Sequence, residues 1–516
     1  MKKNNQPISR KIIMTILSVI IMGSVIISMF SALNSSPKDN GTSQNSIAAS
    51  GTVIPSKVLQ LQQDGEQYMQ EQKYQKAADA YSQIIDVLPD DVEAYIDRSN
   101  AYKALGYYDQ AREDINTAMQ LSGESVDLMM MRADVFMVQG DYATAIEDYT
   151  LAIGLDSADV EIYNARSRAY LQVGDKDKAL ADLNQIVTLA PNAPNAFFNR
   201  GVFLEDLGRF DEALADYTQA IQLADGNARN AFVRRGFVYS KMGRDTEALS
   251  DFENAIAQGV QDDVLFNEVG LLYIRLGMPD QALDAFEKAL TLDPNNPIAY
   301  YNRGIAYLSL QEFDLAISDY NQAIKLDPAN ARFYNNRGMA YYMQQEFDKA
   351  IADYDKAIQL DASYIDSYQN RGNAHASSDE NELAIEDYTT VITLQPNSPD
   401  ALYNRGVVYY RLGFLDNAMA DFTTIIDQNM PNIVQAFNMR AVIHASKNNS
   451  KNALNDLDAA ILSEPTFADS YYKRALILNA LGRKTDAIAD LEKFLSLETN
   501  PDLRQPALDL LTSLKG

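Results

Sequence analysis

One block of eight residues returns at a fixed interval. Tyr300-Tyr301-Asn302-Arg303-Gly304-Ile305-Ala306-Tyr307 is followed thirty-four residues later by Tyr334-Asn335-Asn336-Arg337-Gly338-Met339-Ala340-Tyr341. After equal steps come Tyr368-Gln369-Asn370-Arg371-Gly372 and then Leu402-Tyr403-Asn404-Arg405-Gly406-Val407-Val408-Tyr409. A period of this length means units that cannot bury an apolar face alone and so stack on their neighbours. For 516 residues the prior of three or four globular domains is therefore set aside.

Thirteen such units can be laid down from Val58, starting near 58, 92, 126, 160, 194, 229, 263, 297, 331, 365, 399, 434 and 468; they are numbered one to thirteen, and positions within each unit are counted from its start. Positions 4, 8 and 11 (Tyr300, Gly304 and Tyr307 in repeat eight) carry a large, a small and a large residue. Positions 20, 24 and 27 carry Ala316, Tyr320 and Ala323. Both sets have the i, i+4, i+7 spacing of one helix stripe. Position 15 is often Gly, as at Gly106, Gly277 and Gly413, which ends a helix; position 32 is often Pro, as at Pro294 and Pro328, where a second helix stops. Each unit is expected to be an antiparallel helix pair, with small residues letting the two helices approach closely.

This pattern resembles the tetratricopeptide repeat over Val58 to Pro501, with Tyr or Phe at position 4 where the family often has Trp. The resemblance implies an all-α fold, a right-handed α-solenoid whose first helices line a concave wall that binds proteins or peptides. Beyond it, residues 502–516 are expected to form a capping helix, with Pro506 in its first turn and Leu508, Leu511 and Leu514 facing the last repeat.

Position 7 is Arg in eleven units, and position 23 is Asp in the same eleven. The two exceptions lose both partners together: Asp64 with Ala80 in repeat one, and Val269 with Ala285 in repeat seven. The two positions lie equally far from the turn at position 15, so an ion pair inside each hairpin is expected. Because each Arg has its own counter-charge, the ladder reads as structural and not as an anion site.

Position 6 lies about 200° around the helix from position 4 and is expected to face away from the core. It is Asn at Asn199, Asn302, Asn336, Asn370 and Asn404. Asn is a weak mid-helix residue, but its amide both donates and accepts and can grip a peptide bond. The row is similar to the asparagine ladder of the O-GlcNAc transferase superhelix and of armadillo repeats. With Tyr301 and Tyr403 at position 5 and Tyr342 and Tyr410 at position 12, these are the candidate peptide-binding residues on the concave face, over repeats eight to eleven. Recent duplication of a Tyr-Asn-Arg-Gly block would produce the same row without a ligand. A second family mode, the clamp for a C-terminal carboxylate, finds Asn199 and Arg234 at two of its five places; Asn164, Arg168 and Asn230 depart from its pattern.

The start of the chain is different. Lys2, Lys3, Arg10 and Lys11 form a basic tail over 1–11, and 12–33 is an uncharged apolar run long enough to span a bilayer. Basic flank followed by apolar run is the order of a signal peptide or a signal anchor. The absence of a good small-residue cleavage site favours an uncleaved transmembrane helix, with a short cytoplasmic N-terminus and the repeats outside the cytoplasm. A cleaved signal and a secreted or surface adaptor is the alternative. Residues 34–56, rich in Ser, Asn, Gly and Pro, are expected to be a flexible linker carrying the solenoid of 57–501.

The net charge is −27, which argues against nucleic-acid partners, since these need a basic surface. There is no cysteine, and the two histidines, His375 and His444, both fall at position 11 of the repeat as core substitutes. No phosphate loop, zinc-protease, calcium-loop or serine-nucleophile motif is found. The expected function is a membrane-anchored protein-interaction scaffold, in envelope assembly by analogy of fold. No catalytic residues, cofactor, metal or small-molecule substrate are expected.

Overall fold

The computed structural model describes residues 56–516. These hold 27 α-helices, from Ser56–Gln70 to Pro501–Lys515, and no strand. Eleven first helices open on the expected residue; repeat one opens at Ser56 and repeat twelve at Ile433. The basic tail, the apolar span 12–33 and all but the last residue of the linker lie outside the described residues. Among the described residues no helix is long and apolar enough to cross a membrane.

The described chain forms two compact units divided between Gln261 and Asp262. The first holds repeats one to six. The second holds repeats seven to thirteen and the closing helix. Within each unit, antiparallel hairpins stack in sequence order as a solenoid: each second helix packs on the first helix of its own repeat and on that of the next.

The packing follows from residue size. Ala316, Tyr320 and Ala323 are fully buried, and a Cβ on Gly304 would lie 2.6 Å from Cε1 of Tyr320. A glycine at position 8 lets the ring at position 24 lie flat under the first helix in repeat eight. The turn is equally determined. Position 15 has positive φ in all thirteen repeats, whether Gly or one of Gln72, Gln311, Gln345, Asp379 and Asn448. In repeat eight Glu312 N–H returns to Tyr307 O at 2.9 Å across Gln311, the bond that closes a helix over a left-handed residue.

All eleven expected Arg–Asp pairs form, bidentate, with Nε and Nη2 on the two carboxylate oxygens at 2.6–3.0 Å. The aspartates are buried, and in repeat eight Arg303 lies between two rings, 5.6 Å from Tyr300 and 6.0 Å from Tyr307. The third arm was not legible. In ten of the eleven, Nη1 also reaches back to position 25 of the preceding repeat, as Arg337 does to Asn321 and Arg405 to Thr389. His375 and His444 turn toward the same aspartates, with Nε2 at 3.9 Å from Asp387 and 3.8 Å from Asp456.

The closing helix, Pro501–Lys515, begins one residue before the expected bound. Asn500 caps it by accepting from Asp502 N–H at 3.0 Å, Pro501 is its first residue, and Pro506 lies inside it. The register therefore buries Ala507, while Leu508 stays 39% exposed; Leu511 and Leu514 pack on the last repeat as expected.

Candidate functional site

First helices of successive repeats also touch one another, and this second interface decides where position 6 points. It faces away from its own hairpin partner, as the spacing requires, but toward the neighbouring first helix. Asn302 and Asn336 are each 1% exposed and Tyr301 is 5% exposed. These three are not available to a ligand, contrary to the sequence expectation. Asn302 Nδ2 donates to Asn267 Oδ1 at 2.9 Å. Asn336 Nδ2 donates to the Tyr301 hydroxyl at 3.1 Å, and the Tyr301 ring packs 5.1 Å from Phe333. Burial pushes the Tyr301 phenol above its ordinary pKa.

The rule is that position 6 donates to position 5 of the repeat before it. Asn370 follows it, with Nδ2 on Asn335 Oδ1 at 3.1 Å. Asn335 is itself buried, donates to Asn336 Oδ1 at 3.2 Å and accepts from Ser367 Oγ at 3.1 Å. In repeat eleven the acceptor moves to position 9: Asn404 Nδ2 meets Asn373 Oδ1 at 3.1 Å. That oxygen also accepts from Tyr388 Oη at 2.8 Å and Gln369 Nε2 at 3.2 Å. Asn267, Asn335, Gln369 and Asn373 were missed by sequence reasoning. For Asn267 and Asn335 the available signal was a pairing offset of thirty-five, one more than the period.

The rest of the expected set is accessible. Asn370, Asn404, Tyr342, Tyr403 and Tyr410 are half-buried on the first helices of repeats nine to eleven. Tyr342 Oη lies 3.1 Å from Ser377 Oγ, and Tyr403 packs its ring 5.8 Å from that of Phe422. Asn199 is exposed and belongs to the first unit. There Arg234 is turned toward an internal carboxylate, Glu205, at 3.9 Å. Glu205 is buried, accepts from Tyr217 Oη at 2.8 Å and is paired with Lys241 at 3.1 Å. The structure thus gives Arg234 an anion of its own, which does not favour the clamp arrangement.

The sequence profile of the tetratricopeptide repeat matches residues 96–160, 164–228, 267–328, 301–365 and 438–502, together more than half of the chain, and a second repeat profile of the same kind matches 372–413. The chain belongs to the tetratricopeptide repeat family. Such proteins are in general protein-interaction scaffolds. No curated protein matches the sequence. Among solved structures, this tetratricopeptide protein is similar to yeast Tom70 (18% identity over 89% of this chain and 95% of that one, TM-score 0.37). It is similar to a component of the APC/C hetero-tetramer Cut9-Hcn1 (16% identity, 90% and 97%, 0.39). It is also similar to YrrB, described as a TPR protein with an unusual peptide-binding site (24% identity, 36% and 95%, 0.34).

Proposed function

We propose that this tetratricopeptide protein holds an extended segment of a protein partner on the first-helix wall of repeats nine to eleven. The observation that carries this is the row of half-buried side chains there: Tyr342, Asn370, Tyr403, Asn404 and Tyr410. Amides and phenols on a regular helical spacing supply main-chain hydrogen bonds and rigid contact area. We further propose that the apolar run 12–33 anchors the chain and that the spacer lifts the repeats outside the cytoplasm, where they serve in envelope assembly. The basic flank and the length of that run support this.

A photoreactive amino acid at Gln369, on the wall, is expected to cross-link a partner in cells. The same residue at Gln359, exposed on the second helix of repeat nine, is not. Equal capture from both places removes the wall as the docking surface. Mass spectrometry of the mature N-terminus separates the anchor, which keeps 12–33, from a secreted adaptor, which loses it.

A further inference from the structure

We infer that the segment docked on repeats ten and eleven is basic, with Lys or Arg side chains and main-chain N–H groups directed at Asn370 and Asn404. This rests on the docking reading above and names the chemistry of its partner.

The hydrogen bonds give the wall a polarity. Asn370 donates into Asn335, Asn335 into Asn336, and Asn336 into Tyr301. Three amides and a phenol run head to tail, with the two bonds that cross between repeats both directed toward the earlier repeat. A chain of this kind polarises each member, and the acceptor at its open end is strengthened. That end is Asn370 Oδ1. Asn404 commits one Nδ2 hydrogen to Asn373 in the same sense, while its Oδ1 is open to a ligand. With one of the two donors of each amide already engaged, the row is weighted toward accepting.

Carboxylates reinforce this. Asp366 and Asp400 lie four residues before Asn370 and Asn404, on the same face of each first helix. Asp366 is partly buried, and burial raises its pKa. Asp400 accepts only from a neutral amide, Asn432 Nδ2, at 2.6 Å. The arginines of this wall are already engaged. Arg411 Nη1 donates to Ala376 O at 3.0 Å and Asn381 Oδ1 at 3.3 Å, and Arg332 has its own contacts within the protein. Repeat thirteen shows the contact from within the chain: Lys473 occupies position 6, and its ammonium sits on Asp469, the position 2 carboxylate. The faces of Tyr342, Tyr403 and Tyr410 are further sites for a cation.

The test is fluorescence anisotropy on the full chain in detergent, with a labelled Lys/Arg-rich peptide and its Glu-substituted counterpart. The basic peptide is expected to bind at least about tenfold more tightly. Asp366→Asn with Asp400→Asn should reduce that affinity about tenfold with helical content unchanged. Glu382→Gln with Glu386→Gln, the same charge change at exposed residues on the second helix of repeat ten, should leave it unaltered. Equal binding of both peptides overturns the basic preference and leaves docking standing. Equal losses in the two double variants reduce the effect to net charge and overturn the site. Binding of neither peptide, together with no cross-link from Gln369, removes the docking reading itself.

Discussion

Asp319→Ala in repeat eight isolates the energetics of the ion-pair ladder. Asp319 is buried, and both its oxygens are engaged by Arg303, at 2.7 and 2.8 Å. Removing it strands a guanidinium between the rings of Tyr300 and Tyr307. Breaking a buried pair in this way costs about 3–5 kcal/mol, mostly for the unpaired charge. The Arg303 side chain keeps 21% of its exposure, so some water reaches it and the lower end applies. The double variant Arg303→Val with Asp319→Ala has an internal template: repeat seven carries Val269 and Ala285 at these positions, both 4% exposed. It loses the charge problem and keeps only the gap left by a smaller side chain, about 1–2 kcal/mol. The single substitution is therefore expected to be the more damaging by roughly 2 kcal/mol. Repeat arrays depart from all-or-none unfolding, so the readout is native-state hydrogen exchange of amides in 297–326, with urea denaturation as the global check. Equal losses, or a double variant worse than the single one, would refute the reasoning.

Three further outcomes are expected. Gln72→Gly, Gln311→Gly and Gln345→Gly each relieve a left-handed backbone at an exposed residue, with a net gain of about 0.5 kcal/mol apiece once the looser unfolded chain is counted; the triple variant should show the sum in calorimetry. Gly304→Ala pushes a methyl group into the Tyr320 ring and should cost about 1–3 kcal/mol, read as a lower melting temperature. Asp97 is held up to about 6 by burial and by Glu93, Glu66 and Asp91. A carboxyl that binds its proton more tightly when folded stabilises the protein at low pH, and that stability is lost as pH rises from the ordinary carboxylate range through 6. Asp97→Asn should thus raise stability at pH 7 by about 1 kcal/mol after solvent screening, and the gain should vanish near pH 4 in a series of melts.

The hairpins were legible because their determinants are local and repeat thirteen times. A small residue at position 8, a large apolar or aromatic one at 24 and a turn at 15 act within thirty-four residues. The Arg–Asp pair was legible because both partners vanish together at Val269 and Ala285. The orientation of Asn302 and Asn336 was not, because a helical spacing reports one buried stripe and a first helix here has two. Whether the second stripe closes depends on how near the next first helix comes, which no single repeat encodes. The same limit applies to the closing helix: Leu508 fits an apolar spacing with Leu511 and Leu514, but Pro506 lies inside the helix rather than in its first turn, and it is Ala507 that is buried.

The back-reaching guanidinium has an evolutionary consequence. Since ten of the eleven position 7 arginines find their acceptors at the same offsets, sixteen residues ahead and sixteen or seventeen behind, excising or copying one whole repeat between matching points among them recreates both contacts at the new join. Lineages can lengthen or shorten such an array by recombination without stranding a charge, and so change the number of docking positions while every hairpin keeps its wiring.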